Sequence, residues 1–323
     1  MRILNGVKGY EVMEANFESL RLALNFLGGN YSPAYFHGIA GTVFRAGGIC
    51  PCAPTCTTAM TPQQLIALLG YDYEELPFAG EGSGDVERMI GAVRASIDDC
   101  VPALVWNAMT PCEWNVVTGY DEDENVFYGR VPWQGGEDEY EKRPWDQSKE
   151  NAGLVGLTAI LIRGKSGSLD RRSAEIAALY EAVRHANDAE NTDKLGGDDW
   201  VFLQGKAALR RWAEDFAKPD KDRGLGDAYC MDIYASCHSR AGEFLQMIAG
   251  DYPSASGALL SSAQHFDSEA EALRGAAPLL TWSSPSGVDS QRNAKAYPLL
   301  KAACENYAAA IDALESALPR IAR

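Results

Sequence analysis

The stretch Pro102–Asp121, PALVWNAMTPCEWNVVTGYD, contains two apolar runs joined by a short loop. Short runs rich in β-branched and aromatic residues predict strands, here Val101–Trp106 and Asn115–Tyr120. Glu113 and Trp114 stand directly before the second strand. The two strands decide the fold class, because they predict a sheet on which the helices and strands predicted on either side of them can pack.

Helical signals precede these strands. Apolar residues recur at helical spacing in the segments 14–27, 61–70 and 83–97. Further strands are predicted at Val126–Val131 and Gly153–Gly164. The polar segment Gln134–Asn151 between them is predicted to be a loop, and it could form a flap over a site. This order of elements indicates an α+β domain, with N-terminal helices packed on an antiparallel sheet.

The pattern changes after Lys165. Helical stripes run through residues 169–187, 200–217, 228–249, 254–275 and 292–318, and segments rich in Gly, Pro and Asp separate them. They predict a bundle of about five helices. The length of 323 residues suits two domains. We therefore expect an α+β domain over residues 1–165 and an all-helical bundle domain over residues 166–323.

Composition narrows the range of functions. The formal net charge is −16, and nucleic-acid binding normally needs a basic surface, so we expect no nucleic-acid partner. No run approaches 18 consecutive apolar residues, and the first residues do not resemble a signal peptide, so we expect a cytoplasmic protein without a membrane partner. The acidic surface indicates solubility and is compatible with a cationic small ligand.

The chain resembles the butirosin biosynthesis protein H-like family (N-terminal domain), a papain-like branch near the bacteriocin-processing peptidases. Four groups of residues carry the resemblance: Glu18-Ser19 with the helix ending Phe26-Leu27-Gly28, Tyr31-Ser32 with Gly38–Phe44, the strand from Trp114 to Gly119-Tyr120-Asp121, and the Gly-x-x-Ala-Leu-x-x-Trp segment Gly205–Trp212. The resemblance implies a papain-like fold. It also implies acyl transfer from a carrier-protein thioester to an amine, or thiol-dependent hydrolysis.

Both chemistries need a cysteine at a helix N-terminus and a histidine that stabilises its thiolate. The family pattern would place the cysteine at Phe17, the histidine at Glu113 and the orienting aspartate near Arg130. All three positions depart from the pattern, so no intact catalytic site is expected, and Phe17 and Glu113 are its vestigial positions.

Three classes of function follow. In the first, the former cleft binds a small amine-bearing or acyl ligand through Glu18, Ser19, Glu113, Trp114 and Asn115. Here Glu113 suits an amine and Trp114 suits a flat or cationic group. The second is an acyltransferase or amide hydrolase with relocated catalytic residues. The third is a structural or partner-binding protein, which a filled cleft would favour. A plainer hypothesis is that Ser19 caps its helix and Glu113 binds a neighbouring donor.

A cysteine-rich loop is the candidate metal site. Cys50, Cys52 and Cys56 have C-x-C-x3-C spacing, with His37 or Cys112 as a fourth ligand, so zinc is possible; a redox-sensitive pair or free thiols are the alternatives. We expect Cys100, Cys112, Cys230 and Cys304 to be small core residues. His185 and His265 are expected to lie on solvated helix faces.

Overall fold

A computed structural model describes residues 1–49, 60–80, 84–133, 139–188, 202–284 and 286–321. The described strands are β1 Arg2–Ile3, β2 Gly47–Ile49, β3 Tyr71–Ala79, β4 Ala103–Trp106, β5 Trp114–Asp121, β6 Val126–Arg130, β7 Glu141–Pro144, β8 Leu157–Lys165, β9 Phe202–Gln204, β10 Asp222–Arg223 and β11 Gly287–Val288. The α-helices are α1 Ala15–Phe26, α2 Pro33–Ile39, α3 Pro62–Leu68, α4 Gly84–Asp98, α5 Trp145–Val155, α6 Arg171–Asn187, α7 Gly205–Phe216, α8 Leu225–His238, α9 Ala241–Ile248, α10 Ser256–Ala276 and α11 Ser290–Ile321. The fold is mixed α/β.

The chain divides into two compact units. The first contains Met1–Pro33 and Thr61–Asp170, and the second contains Ala34–Met60 and Arg171–Arg323. The predicted boundary at 165/166 lies five residues before the last of these divisions. The predicted first domain also differs from the first unit in its content. The described part of Ala34–Met60 belongs to the second unit, with the C-terminal helices. A pattern read along the chain assigns neighbouring residues to one domain and does not detect such an exchange.

The first unit is built on a seven-stranded antiparallel sheet of order β3-β8-β4-β5-β6-β7, with β1 paired to β5. Alternate residues of the strands face opposite sides. One face buries Val105, Val117 and Leu161 with Met89 and Val93 of α4. Helix α1 packs against β4 and β5. The predicted antiparallel sheet with packed N-terminal helices is therefore observed.

The predicted loop Gln134–Asn151 is wrong over its described part. Residues 141–144 form the edge strand β7, and Trp145 begins α5. The Trp145 ring packs on Phe127, with ring centroids 5.7 Å apart, and Ala152 is buried in the same core. These apolar contacts order a segment whose average composition is polar.

The second unit is mainly helical, as expected, but it is not all-helical. Strand β2 pairs with β9, and β10 pairs with β11. The predicted stripe 228–249 is two helices, because α8 ends at His238 and α9 begins at Ala241. No helix of the described chain combines the length and hydropathy needed to cross a membrane.

Candidate functional site

The N-terminus of α1 lies against the start of β5, in the first unit. The carboxylate of Glu14 caps α1 by accepting a hydrogen bond from the Phe17 N–H at 2.9 Å. Phe17, Glu18 and Ser19 in the first turns are fully buried. The Ser19 hydroxyl donates to the Ala15 carbonyl at 2.6 Å, so Ser19 does not cap its helix as the plainer hypothesis suggested. The structure thus brings the helix and strand predicted to carry the site into contact.

The hydroxyl of Tyr10 occupies the point where this helix and strand meet. Its oxygen lies 2.7 Å from Ser19 Oγ and 3.1 Å from the carbonyl oxygen of Trp114. Burial is the largest cause that raises the pKa of Tyr10 far above its usual value, and the charges of Glu18, Glu113 and Glu14 raise it further. The Tyr10 hydroxyl therefore stays protonated and remains a hydrogen-bond donor.

Glu18, a predicted ligand-binding residue, takes part in an internal ion pair. Its Oε1 lies 2.6 Å from Arg21 Nη2 and also accepts the backbone N–H of Glu11 at 2.9 Å. Arg21 binds the Glu11 carboxylate as well, at 2.6 Å. Burial alone would lower the pKa of Arg21, but the carboxylate of Glu18 outweighs it and the net shift is upward. The Glu18 carboxylate is thus balanced by a charge from its own helix.

Arg130, at the position where the resemblance would put the aspartate, binds residues near the N-terminus. Its Nε donates to the Val7 carbonyl at 3.0 Å, and its guanidinium lies 4.1 Å from the centre of the Tyr140 ring. The Tyr140 hydroxyl donates to the Leu4 carbonyl at 3.0 Å and accepts the Gly6 N–H at 2.9 Å. Arg130, only 4% exposed, is an anchor for the N-terminal residues.

These contacts define the N-terminal strap, residues Leu4–Val12. It begins where the Leu4 N–H donates to the Thr118 carbonyl of β5 at 2.8 Å, and it ends at Val12, which is fully buried. Helix α1, the start of β5 and the end of β6 each contribute a group that holds the strap. The strap therefore contacts residues at or beside the three positions where the resemblance would put cysteine, histidine and aspartate.

Trp114 and Asn115 are two further predicted ligand residues. Their side chains contact the neighbouring strand and the loop that precedes β5. Trp114 packs edge-to-face on Trp106 at 6.0 Å. Asn115 is fully buried, and its Oδ1 accepts the N–H groups of Met109 and Thr110 at 2.8 and 3.1 Å. Glu113 is 7% exposed, and its carbonyl accepts the Asn107 N–H at 2.9 Å. The three residues are consecutive at the start of β5. The side-chain oxygen of Asn115 is bonded to backbone N–H groups of the preceding loop.

The loop Asn107–Glu113 is held by α5, an element that the sequence did not predict. The Ser148 hydroxyl donates to the Ala108 carbonyl at 2.6 Å, and Asn151 Nδ2 donates to the Asn107 carbonyl at 3.0 Å. Asn107 and Cys112 have φ values of +64° and +59°, in the left-handed region that costs energy for residues other than glycine. Asn151 holds Asn107, and the Cys112 N–H donates to Asn107 Oδ1, so the two residues are linked to each other.

The candidate metal site is the cysteine-rich loop, with His37 or Cys112 as a fourth ligand. Cys50, Cys52 and Cys56 lie outside the described residues. Within the described residues, no group of three His, Cys, Asp or Glu is arranged to hold a metal ion. Of the two proposed fourth ligands, Cys112 is exposed and His37 is buried, with Nδ1 2.7 Å from Thr42 Oγ1. Zinc at the cysteine loop stays a prediction.

Other cysteine and histidine predictions have mixed outcomes. Cys230 is buried, as expected for a core residue, whereas Cys100 and Cys112 are exposed. Both exposed residues have positive φ values, typical of turns, so the core prediction is wrong for them. His185 is 3% exposed rather than solvated. The prediction for His185 is wrong, because the polar residues around it in helix α6 suggested an exposed position.

A set of buried polar side chains in the second unit was missed by the sequence. Side chains of α6, α8 and α11 bind the backbone of four consecutive residues, Phe44–Gly47, and no sequence signal marks that pairing. The bonds, as atom pairs, are Tyr307 Oη to Phe44 O at 2.7 Å, His238 Nε2 to Arg45 O at 2.8 Å, His185 Nε2 to Ala46 O at 2.9 Å and Tyr234 Oη to Gly47 O at 2.9 Å.

Comparison with known proteins adds no assignment. A scan against protein-family models finds no match, and a search of curated proteins finds no significant match. Function is therefore argued from the residues and their geometry.

Proposed function

We propose that this chain is a catalytically degenerate papain-like protein that serves as a structural or partner-binding protein, with its former cleft closed by the N-terminal strap. The observation that carries the proposal is the Tyr10 hydroxyl, 2.7 Å from Ser19 Oγ and 3.1 Å from the Trp114 carbonyl. A helix whose N-terminal turns pack against the start of a strand in an antiparallel sheet supports the papain-like assignment.

The chemistry of the position argues against residual catalysis. Phe17 offers no nucleophile. Ser19 is fully buried and its hydroxyl proton is directed to the Ala15 carbonyl. A serine needs a neighbouring base to attack an acyl carbon near neutral pH, and a carboxylate is a weak substitute for histidine. A substrate would also have to displace the Tyr10 side chain to reach Ser19.

Ligand binding in the cleft is the second candidate. One observation favours it: Glu14, Glu18 and Glu113 are all close enough to raise the pKa of Tyr10 by their charges. An amine that entered in place of the Tyr10 hydroxyl would meet these carboxylates. This hypothesis requires the strap to withdraw, whereas the partner-binding proposal does not.

Turnover is the first test. Wild type and Ser19→Ala would be incubated with an aminoacyl N-acetylcysteamine thioester plus an amine acceptor, and with a peptide p-nitroanilide. We expect both proteins to match the buffer rate. Turnover in wild type that disappears in Ser19→Ala would instead establish an enzyme with relocated catalytic residues.

The second test separates a filled cleft from a ligand site. Tyr10→Gly removes the ring, and p-cresol has the shape of the missing side chain. We expect p-cresol to restore part of the lost thermal stability of Tyr10→Gly, and tyramine to do no better. Stronger rescue by tyramine, whose amine would meet the carboxylates, would favour the amine-binding alternative. Tyr73→Gly, at an exposed tyrosine of β3, is the control.

A further inference from the structure

Strand β3 is the terminal strand of the sheet in the first unit. Among the described residues it pairs only with β8, so its other edge carries no strand partner. Four consecutive residues, Asp72–Glu75, are exposed. In a terminal strand every second residue directs its N–H and C=O away from the sheet, and an added peptide can bind these groups.

A cleft of 310 Å³ lies between this strand and α4. Leu76, Met89 and Ala92 provide apolar lining, and Glu74 and Asp85 also line it. The register explains the arrangement: Glu74 and Leu76 pair with Leu161 and Ala159, which belong to the core that α4 covers. Alternate side chains of β3 thus point to the same side as the cleft.

The charges around the cleft favour a cation. Among the described residues its lining includes the carboxylates of Glu74 and Asp85 and one base, Arg88, whereas the Glu75 side chain alternates to the other face of β3 and binds Gln63. Asp85 binds Arg88 at 2.8 Å, and Glu74 binds Arg163 of β8, with all four side chains at least 40% exposed. Exposed ion pairs contribute about 0–1 kcal/mol each, so an incoming cation can compete for either carboxylate.

These features also restrict the occupant. A second copy of the chain adding its own β3 would bring Glu74 and Glu75 against like charges, which is unfavourable for directly opposed strand residues. Pro77 has no N–H, and the pairing with β8 shifts between Leu76 and Ala79, so the regular edge is short. The occupant must therefore be a short strand that carries positive charge.

We propose that the edge of β3 and the β3–α4 cleft bind a short, extended, lysine- or arginine-bearing segment of a partner protein. The backbone of the segment pairs with residues 73–76, one aliphatic side chain rests on Leu76 and Met89, and a cationic side chain reaches Glu74 and Asp85. This proposal deepens the partner-binding function and rests on it.

The test uses a fluorescein-labelled hexapeptide that alternates lysine and valine, with the full-length protein and fluorescence anisotropy as the readout. We expect saturable binding that weakens at least tenfold in Glu74→Lys. Asp123→Lys makes the same charge change on the exposed β5–β6 turn, and it should bind as wild type does. Ala92→Phe fills the cleft without a change of charge, and it should also weaken binding.

A second peptide separates strand addition from general attraction between opposite charges. The same hexapeptide methylated on alternate backbone nitrogens keeps its charge but cannot complete the strand hydrogen bonds, so we expect it not to bind. Equal binding of both peptides, or equal weakening by Glu74→Lys and Asp123→Lys, would overturn the proposal. Absence of binding to wild type would do so as well. None of these outcomes depends on the turnover or rescue assays that test the function of the old cleft.

Discussion

The hydroxyl oxygen of Tyr10 lies 2.7 Å from the hydroxyl oxygen of Ser19, so the N-terminal strap lies against helix α1 two residues after Phe17, where the resemblance would put the cysteine. Ser19 is fully buried at this contact. Arg130, where the resemblance would put the aspartate, anchors the same strap through the Val7 carbonyl.

Removing only the Tyr10 hydroxyl tests the strength of this contact. Tyr10→Phe keeps the ring but leaves Ser19 Oγ and the Trp114 carbonyl without that hydrogen-bond partner, so we expect the free energy of unfolding to fall by about 1 kcal/mol. Urea denaturation would measure it. Tyr73→Phe, at an exposed ring, should change little, and equal losses in both variants would contradict the assigned contact.

Arg130 is expected to hold the strap in place. Arg130→Met keeps most of the side-chain volume but removes the donors to the Val7 and Glu139 carbonyls, so we expect a loss of about 2 kcal/mol. Hydrogen exchange followed by mass spectrometry should show faster exchange at residues 4–12. Arg163→Met, which removes an exposed ion pair of β8, should leave that exchange unchanged.

The sequence predicted the elements whose signals are local. The strands β4, β5, β6 and β8 and the helices α1, α3 and α4 were expected within a few residues, because alternation, helical spacing and residues such as Thr61 and Gly70 mark them directly. The strap was not expected, because single hydrogen bonds at residues such as Leu4, Val7 and Tyr10 hold it, and no periodicity marks residues of that kind.

Contacts between residues on different elements explain the other misses. Helix α5 begins with Trp145, which packs against Phe127 of strand β6. The grouping of residue 34 onwards with the second unit is accompanied by hydrogen bonds from His238 and Tyr307 to backbone carbonyls. The partners in these contacts are separated by up to 263 residues, as Tyr307 and Phe44 are. A pattern within one helix or strand therefore carries no information about them.

His238 and Glu269 should make stability depend on pH on the alkaline side. Their side chains are fully buried, with Nδ1 and Oε1 2.7 Å apart. Burial lowers the pKa of His238, but the Glu269 carboxylate outweighs it and the net shift is upward. The imidazolium therefore contributes stability that is complete below about pH 6.5, the usual histidine value, and is lost as pH rises through the raised pKa. Unfolding free energies at pH 6 and pH 9 should differ less in His238→Gln than in wild type.

His185 should make the free energy of unfolding depend on pH below about pH 6.5. Burial is the main cause that lowers its pKa to about 4, and the Arg45 charge adds to it. Below pH 6.5 the unfolded chain takes up a proton that the folded chain takes up only near pH 4, so stability falls across this window by up to about 3 kcal/mol. His185→Gln should show a shallower fall of unfolding free energy between pH 6.5 and 4. An unchanged slope would contradict a buried neutral imidazole.

Gly38 offers a sharp test of packing in the second unit. A Cβ at this position of α2 would lie 2.2 Å from the ring of Phe244, a fully buried side chain that cannot turn away without disturbing its neighbours. Glycine to alanine inside a helix normally adds up to about 1 kcal/mol of stability. We expect Gly38→Ala instead to lose about 1–3 kcal/mol, the usual range for overpacking.

Gly91 is the matched control for that substitution. It lies within α4, and a Cβ there would have nothing within 4 Å, so Gly91→Ala should gain stability by helix propensity alone. Thermal and urea unfolding of the two variants should therefore move in opposite directions. A gain of stability in both variants would mean that Phe244 does not pack closely on Gly38. A loss of stability in Gly38→Ala alone would mean that the contact with the Phe244 ring requires glycine at this position.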